Sequence, residues 1–268
     1  MSNLLYLSTF LAYAALAVYF WRTQVTGNGD ALNRGAIGHL VLLPLLLHAY
    51  LLYGGLFSSG HLNLGLALAL SLMLWLTMMV YWVARFFYPI ASLQTLALPL
   101  VAVGALLPTI FPEVHPLNDA TLAMELHILT AMLAYSLFII AVLHAGLMSW
   151  MESRLHHASL PVVLQGLPPL LTMEILLFRI IAAGFVLLTL TLASGMVFSE
   201  ELFGKPWQFN HKVLFGFISW AVFGVLLLGH YYRGWRGRTA VRWTMSGFVF
   251  LLLAYVGSKF VLEVFLHR

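Results

Sequence analysis

Histidine is the residue type in this chain whose placement invites chemistry. Eleven are present in 268 residues, and a neutral imidazole is a good ligand for iron, including the iron of haem. Two of them are placed alike. His127 lies about five residues into an apolar run that begins near Leu122, and His211 opens another such run. If both runs are helices entering a membrane from one face, their rings fall at nearly one height, because five helical residues rise only about 7 to 8 Å. A paired axial site is then geometrically open. The plainer alternative stands beside it: a histidine at the end of an apolar helix commonly makes a hydrogen bond at the interface. The stretch Gly204-Lys-Pro-Trp-Gln-Phe-Asn-His-Lys212 adds Trp207, a ring that could stack near a macrocycle. Lys205 and Lys212 could meet propionates as point charges, or simply be solvated in a short loop.

The remaining candidates exclude more than they propose. His39, His144 and His230 lie towards the opposite ends of their runs and His48 lies deeper; an inner haem site is conceivable from them, but hydrogen bonds between helices account for them more simply. His61, His115 and His267 look like surface residues, and His156 with His157 belongs to a loop. The carboxylates Glu125, Glu200, Glu201, Glu263, Glu152 and Glu174 all fall near run ends, so no acid sits mid-run, where a pump or channel would need one. With no cysteine, the chain cannot form disulfides, Cys-ligated metal sites or a C-x-x-C-H haem attachment. No nucleophile with a base, no phosphate-cradling glycine loop and no carboxylate-rich metal site is visible, which argues against an enzyme.

The elements that must position these histidines follow from composition. Hydrophobic residues make up 62% of the chain and charged residues 8%, against about a quarter charged in soluble domains. The apolar residues form runs of about 20, enough to cross a hydrocarbon core of about 30 Å. We read spans at about 3–21, 36–57, 63–84, 88–111, 122–150, 175–198, 211–232 and 241–265. Alternate connections carry Arg22, Arg34, Arg85, Arg154, Arg179, Arg233, Arg236, Arg238 and Arg242, whereas the other set holds Lys205, Lys212, Lys259 and Arg268. By the positive-inside rule the arginine side is cytoplasmic and both termini lie outside. Arg22 follows the first span rather than preceding it, so that segment is expected to be retained as a helix. Pro161, Pro168 and Pro169 break any continuous helix between the fifth and sixth spans. The turn Tyr232-Arg-Gly-Trp-Arg-Gly-Arg238 is accounted for by topology and anionic headgroups rather than nucleic acid. The reading is all-α: a polytopic transmembrane helix bundle of about eight helices, one integral membrane domain over residues 1–268.

Taken in order, several segments together carry a resemblance: Leu126-His-Ile-Leu-Thr-Ala-Met-Leu-Ala-Tyr135, then Leu167-Pro-Pro-Leu-Leu-Thr-Met-Glu-Ile-Leu-Leu-Phe-Arg179 with Ala183-Gly-Phe185, then Asn210-His-Lys-Val, and Gly234-Trp-Arg-Gly237 with its following span. The chain resembles the cytochrome c assembly protein family of the CcsA and CcmC type, within it the short inner-membrane YpjD-like branch, most strongly over 122–268. The resemblance implies a multi-pass protein of the bacterial inner (plasma) membrane that holds non-covalent haem b at the outer face. His127 matches the first axial histidine of the iron, and His211 is the natural candidate for the second, flanking an aromatic haem-contact segment that here contains Trp207. It implies the lipid bilayer, and an apocytochrome or other membrane assembly proteins, as partners. The tryptophan-rich segment of better-known members, ending in a Trp-Asp-Pro-Lys-Glu type sequence, is replaced here by Lys205-Pro-Trp-Gln-Phe-Asn-His-Lys212, a departure that bears on haem delivery. Two other readings stay open: a transmembrane electron carrier with a second, inner haem on His39 or His144, and a haem-free accessory subunit of a membrane transport complex.

Overall fold

The computed structural model describes residues 2–25, 36–57, 62–88, 91–112, 116–117, 121–155, 168–200 and 210–257. Among them are eight long helices: α1 (Ser2–Val25), α2 (Leu42–Leu56, led in by a 3₁₀ turn at Ala36–Val41), α3 (Leu66–Ala84), α4 (Ala91–Ile110), α5 (Leu122–Leu155), α6 (Leu170–Val197), α7 (His211–Arg233) and α8 (Gly237–Leu252, running on into a π turn at Leu253–Gly257). Two-residue strands at Leu62–Asn63 and Pro116–Leu117 are the only extended elements among the described residues. Seven helices are long and apolar enough to cross a membrane; α4, interrupted by Pro99 and Pro108, offers the shorter apolar stretch Leu96–Ile110. The chain is a polytopic membrane protein.

The elements follow the expected order, with three shifted ends. α5 runs 34 residues, about 51 Å at 1.5 Å per residue, so it outlasts the hydrocarbon and carries Glu152 and Arg154 beyond its apolar part. α6 begins at Leu170 and α8 at Gly237, each a turn earlier than hydropathy marks. Hydropathy locates the hydrocarbon boundary, whereas a helix ends where its backbone hydrogen bonds find another partner.

The chain forms two compact units: residues Met1–Pro116 with Trp150–Thr172, and Leu117–Ser149 with Met173–Arg268. In the first, α1 packs on α2 and α4, and α3 packs on the same two helices. Thr9, Tyr13, Ala17 and Phe20 are buried at helical spacing on α1, while Leu4, Leu7, Leu11 and Val18 face outwards. That is the pattern of a helix with one face on protein and one on lipid.

The second unit, α5 to α8, is tied together at one level. The rings of Phe138 (α5) and Phe223 (α7) stack at 4.0 Å and 19°, and both are fully buried. Gly184 of α6 lies against Phe138 and Gly247 of α8 against Phe223: a Cβ at either glycine would come within 3.1 Å or 2.8 Å of the ring. Four helices therefore meet around two rings, and only hydrogen on the two outer helices leaves room for them. Polar ties flank the layer. Trp220 Nε1 donates to Thr189 Oγ1 at 2.9 Å, Ser219 Oγ to Gly247 O at 2.9 Å, and Tyr135 Oη to Leu251 O at 2.8 Å, just before α8 widens into its π turn.

Candidate functional site

The Phe138–Phe223 stack sets the register of α5 against α7, which run in the same direction. His127 precedes Phe138 by 11 residues and His211 precedes Phe223 by 12. The two histidines therefore stand within about one helical turn, roughly 5 Å, of the same height. The two sequence candidates are thus brought to one level of one unit, at the end where α5 and α7 begin.

Their surroundings differ. His127 is half-buried and turned towards α6, where Nδ1 shares a 2.8 Å hydrogen bond with Ser194 Oγ, and Gly195 gives its Cε1 room. Ser194 in turn donates its hydroxyl proton to Thr191 O at 3.1 Å. A serine hydroxyl has a single proton. If that proton goes to Thr191, Ser194 Oγ accepts from His127, and the imidazole then carries its proton on Nδ1 and its lone pair on Nε2. That is the tautomer required of an Nε2 metal ligand, held by an outer hydrogen bond of the kind that orients ligating histidines. His211 is exposed and is the first residue of α7, whose start is fixed by Asn210: its side chain accepts from Val213 N at 3.1 Å. Lys212 follows, half-buried. Trp207 and Lys205 lie outside the described residues.

The other histidines are placed as follows. In the second unit His144 is fully buried, and its Nε2 donates to Met173 O at 2.7 Å, while Nδ1 has no hydrogen-bond partner. His230 stacks on Phe178 at 3.5 Å, and its Nδ1 donates to Trp235 O at 2.9 Å. In the first unit His48 is buried, with Nε2 and Ser71 Oγ 2.9 Å apart and the Tyr13 ring edge-on at 5.9 Å. His39 is exposed there, its ring against Trp82 and Phe86. His61, His115, His156, His157 and His267 lie outside the described residues. Among those that are described, no three His, Asp or Glu side chains gather as a metal cluster.

Ser194 is the residue that sequence reasoning missed. Its signal was weak but present: it sits near the end of a run antiparallel to α5, at the height where His127 needs a neighbour. Glu174 was missed as well. Read as a boundary residue, it makes an ion pair with Arg236 at 3.4 Å and accepts from Gly237 N at 3.4 Å.

Comparison with known proteins agrees with this architecture. The chain is 37% identical over 174 residues to the inner membrane protein YpjD of Escherichia coli K12, a stretch covering 63% of this chain and 65% of that protein. It is 37% identical over 89 residues to the cytochrome c biogenesis protein CcsA of Prochlorococcus marinus MIT 9515, covering 33% of this chain and 28% of that one. The chain thus spans just under two thirds of the length of its YpjD relative and under a third of CcsA. No solved structure matches it. The family model described as cytochrome C assembly protein matches residues 36–266, all but the first 35 residues and the last two. The chain belongs to the cytochrome c assembly protein family.

Proposed function

We propose that this protein holds haem b non-covalently at the outer end of its second unit, with His127 and His211 as axial ligands of the iron, and handles it for cytochrome c assembly. It sits in the bacterial inner membrane, a location supported by its seven apolar spans and its inner-membrane relative. One observation carries the ligand assignment. Ser194 Oγ engages Nδ1 of His127, which on this reading carries the proton and leaves the lone pair at Nε2, so the donor set fits a group whose metal takes neutral imidazole nitrogen. The common height of His211 and the neighbouring Lys212 add a second donor and a cation for a propionate. Trp207 completes this reading as a ring alongside the macrocycle.

Haem supplies a redox-active iron and two carboxylates when bound. The chain's own residues do the rest: Ser194 orients His127, Asn210 starts α7 so that His211 stands at the same level, and the stacked core below keeps the two helices in register. Its part is binding and presentation in the bilayer; covalent attachment would use thiols of an apocytochrome or another assembly protein, since this chain has none.

The test is a reduced-minus-oxidised spectrum with pyridine haemochrome quantification on detergent-purified wild type, His127→Ala and His211→Ala. About one haem per wild-type chain is expected, and most of it lost in each variant. Loss in His127→Ala alone would remove His211 from the site. Two haems per chain would instead favour an electron carrier. Well-folded wild type that contains no haem, prepared from haem-replete cells, would overturn the proposal.

A further inference from the structure

The turn joining α7 to α8 carries Arg233, Arg236, Arg238 and, one helical turn on, Arg242, all of them exposed. A topological signal needs only charge, and any loose loop would serve. This turn is instead built. Gly234 takes a left-handed conformation (φ 65°) at the end of α7, which favours glycine. The Trp235 indole lies on Gly229, where a Cβ would sit 2.4 Å from the ring, and leans on Trp243 at 5.2 Å. The Trp235 carbonyl is held by His230 Nδ1, whose ring is clamped against Phe178. Glu174, with only 13% of its side chain exposed, then fastens the far side through Arg236 and the amide of Gly237. Contacts from α6, with those of α7 and α8 themselves, thus fix the backbone that bears the arginines, while Arg236 itself remains 64% exposed.

From this geometry we infer that the Arg233–Arg242 turn is a binding site for the phosphodiester headgroup of an anionic phospholipid. Arg238 and Arg242 are four residues apart on α8 and so share a face, with Arg233 across the turn. Each guanidinium presents a planar fork that matches phosphate oxygens, which a lysine does not. A lipid is favoured over a soluble anion by position: the turn closes two spans, and Tyr231 and Tyr232 beside it are 81% and 76% exposed, as aromatic residues at headgroup depth are. Charge complementarity selects anionic over zwitterionic lipid, because four arginines stand on one turn and Glu174 supplies a single negative charge beside them. The inference is independent of the haem reading.

The experiment is native mass spectrometry of the full-length protein in neutral detergent, titrated with phosphatidylglycerol, with phosphatidylcholine, and with phosphatidylglycerol in the presence of millimolar inorganic phosphate. Phosphatidylglycerol should bind about tenfold or more tightly than phosphatidylcholine, and Arg233→Gln/Arg242→Gln, both exposed changes, should abolish the difference. Glu174→Gln separates a built site from bulk charge. It makes the protein more positive, so bulk attraction would strengthen anionic-lipid binding, whereas a turn that has lost its fastening should bind several-fold more weakly. Unchanged or tighter binding by Glu174→Gln, no lipid preference in the wild type, or full displacement by inorganic phosphate would each overturn the proposal.

Discussion

Ser194 has one proton to give, and its destination fixes which nitrogen of His127 can act as a base or a ligand. With the proton on Thr191 O, His127 would donate through Nδ1. His144, on the same helix, carries the opposite arrangement: its Nε2 donates to Met173 O, so its lone pair lies on Nδ1 in a fully buried setting. On this reading, identical side chains about 25 Å apart along one helix are set for different work by a hydroxyl in one case and a carbonyl in the other. Removing the hydroxyl should therefore change His127 without touching the fold. In haem-free protein labelled with ¹⁵N-histidine, the His127 signals, identified by their absence from His127→Ala, should report an Nδ1–H imidazole in the wild type. They should report a mixture of tautomers in Ser194→Ala. Haem affinity of Ser194→Ala should fall about 10- to 100-fold, the usual cost of losing a partner that orients a ligand. A single unchanged tautomer in Ser194→Ala would remove Ser194 from the site, while leaving the His127 assignment to be judged by haem content.

At the scale of elements, the relation between His127 and His211 depends on a contact well below them. Phe138 and Phe223 lock α5 and α7 in register, and Gly184 and Gly247 let α6 and α8 close over the two rings. A side chain at Gly247 would have to displace Phe223, a ring held face to face with Phe138 rather than the loose end of a flexible chain. Gly247→Leu should accordingly cost about 1 to 3 kcal/mol of stability, seen as a lower thermal midpoint in detergent. Adding Phe223→Leu should restore part of the loss, because the two changes share one volume and are not additive. An unaltered midpoint in Gly247→Leu would mean that the helices do not meet there. The layer also explains why the two outer helices tolerate glycine mid-span: within a bilayer, helices gain from close approach and packing rather than from expelling water.

For the whole molecule, what the sequence makes legible is what hydropathy and parity control. The eight helices, their order and the placing of His127 and His211 at one end of the second unit follow from run lengths and from counting residues, since a span of fixed thickness leaves little else to vary. The contacts that give the site its chemistry were not legible. Ser194 is 67 residues from His127, Glu174 is 62 from Arg236, and which face of a helix meets which neighbour is set by packing that no single run reveals. Helix ends were blurred for a related reason, as charged residues such as Glu152 continue α5 past the apolar stretch that defines the span. Orientation is the property on which the outer-face assignment finally rests, and the arginine-rich connections argue for it through their distribution alone. The absence of cysteine makes a direct test clean. Thr121, exposed before α5, and Thr239, exposed in the first turn of α8, lie at opposite ends of the second unit, because α5, α6, α7 and α8 alternate in direction. With both termini outside, a membrane-impermeant maleimide applied to intact spheroplasts should label Thr121→Cys and spare Thr239→Cys, and should label both after lysis. The reverse pattern would turn the bundle over, placing His127 and His211 at the cytoplasmic face and the arginine turn at the outer one. An outer haem site could not survive that result, whereas the tautomer set by Ser194 would stand.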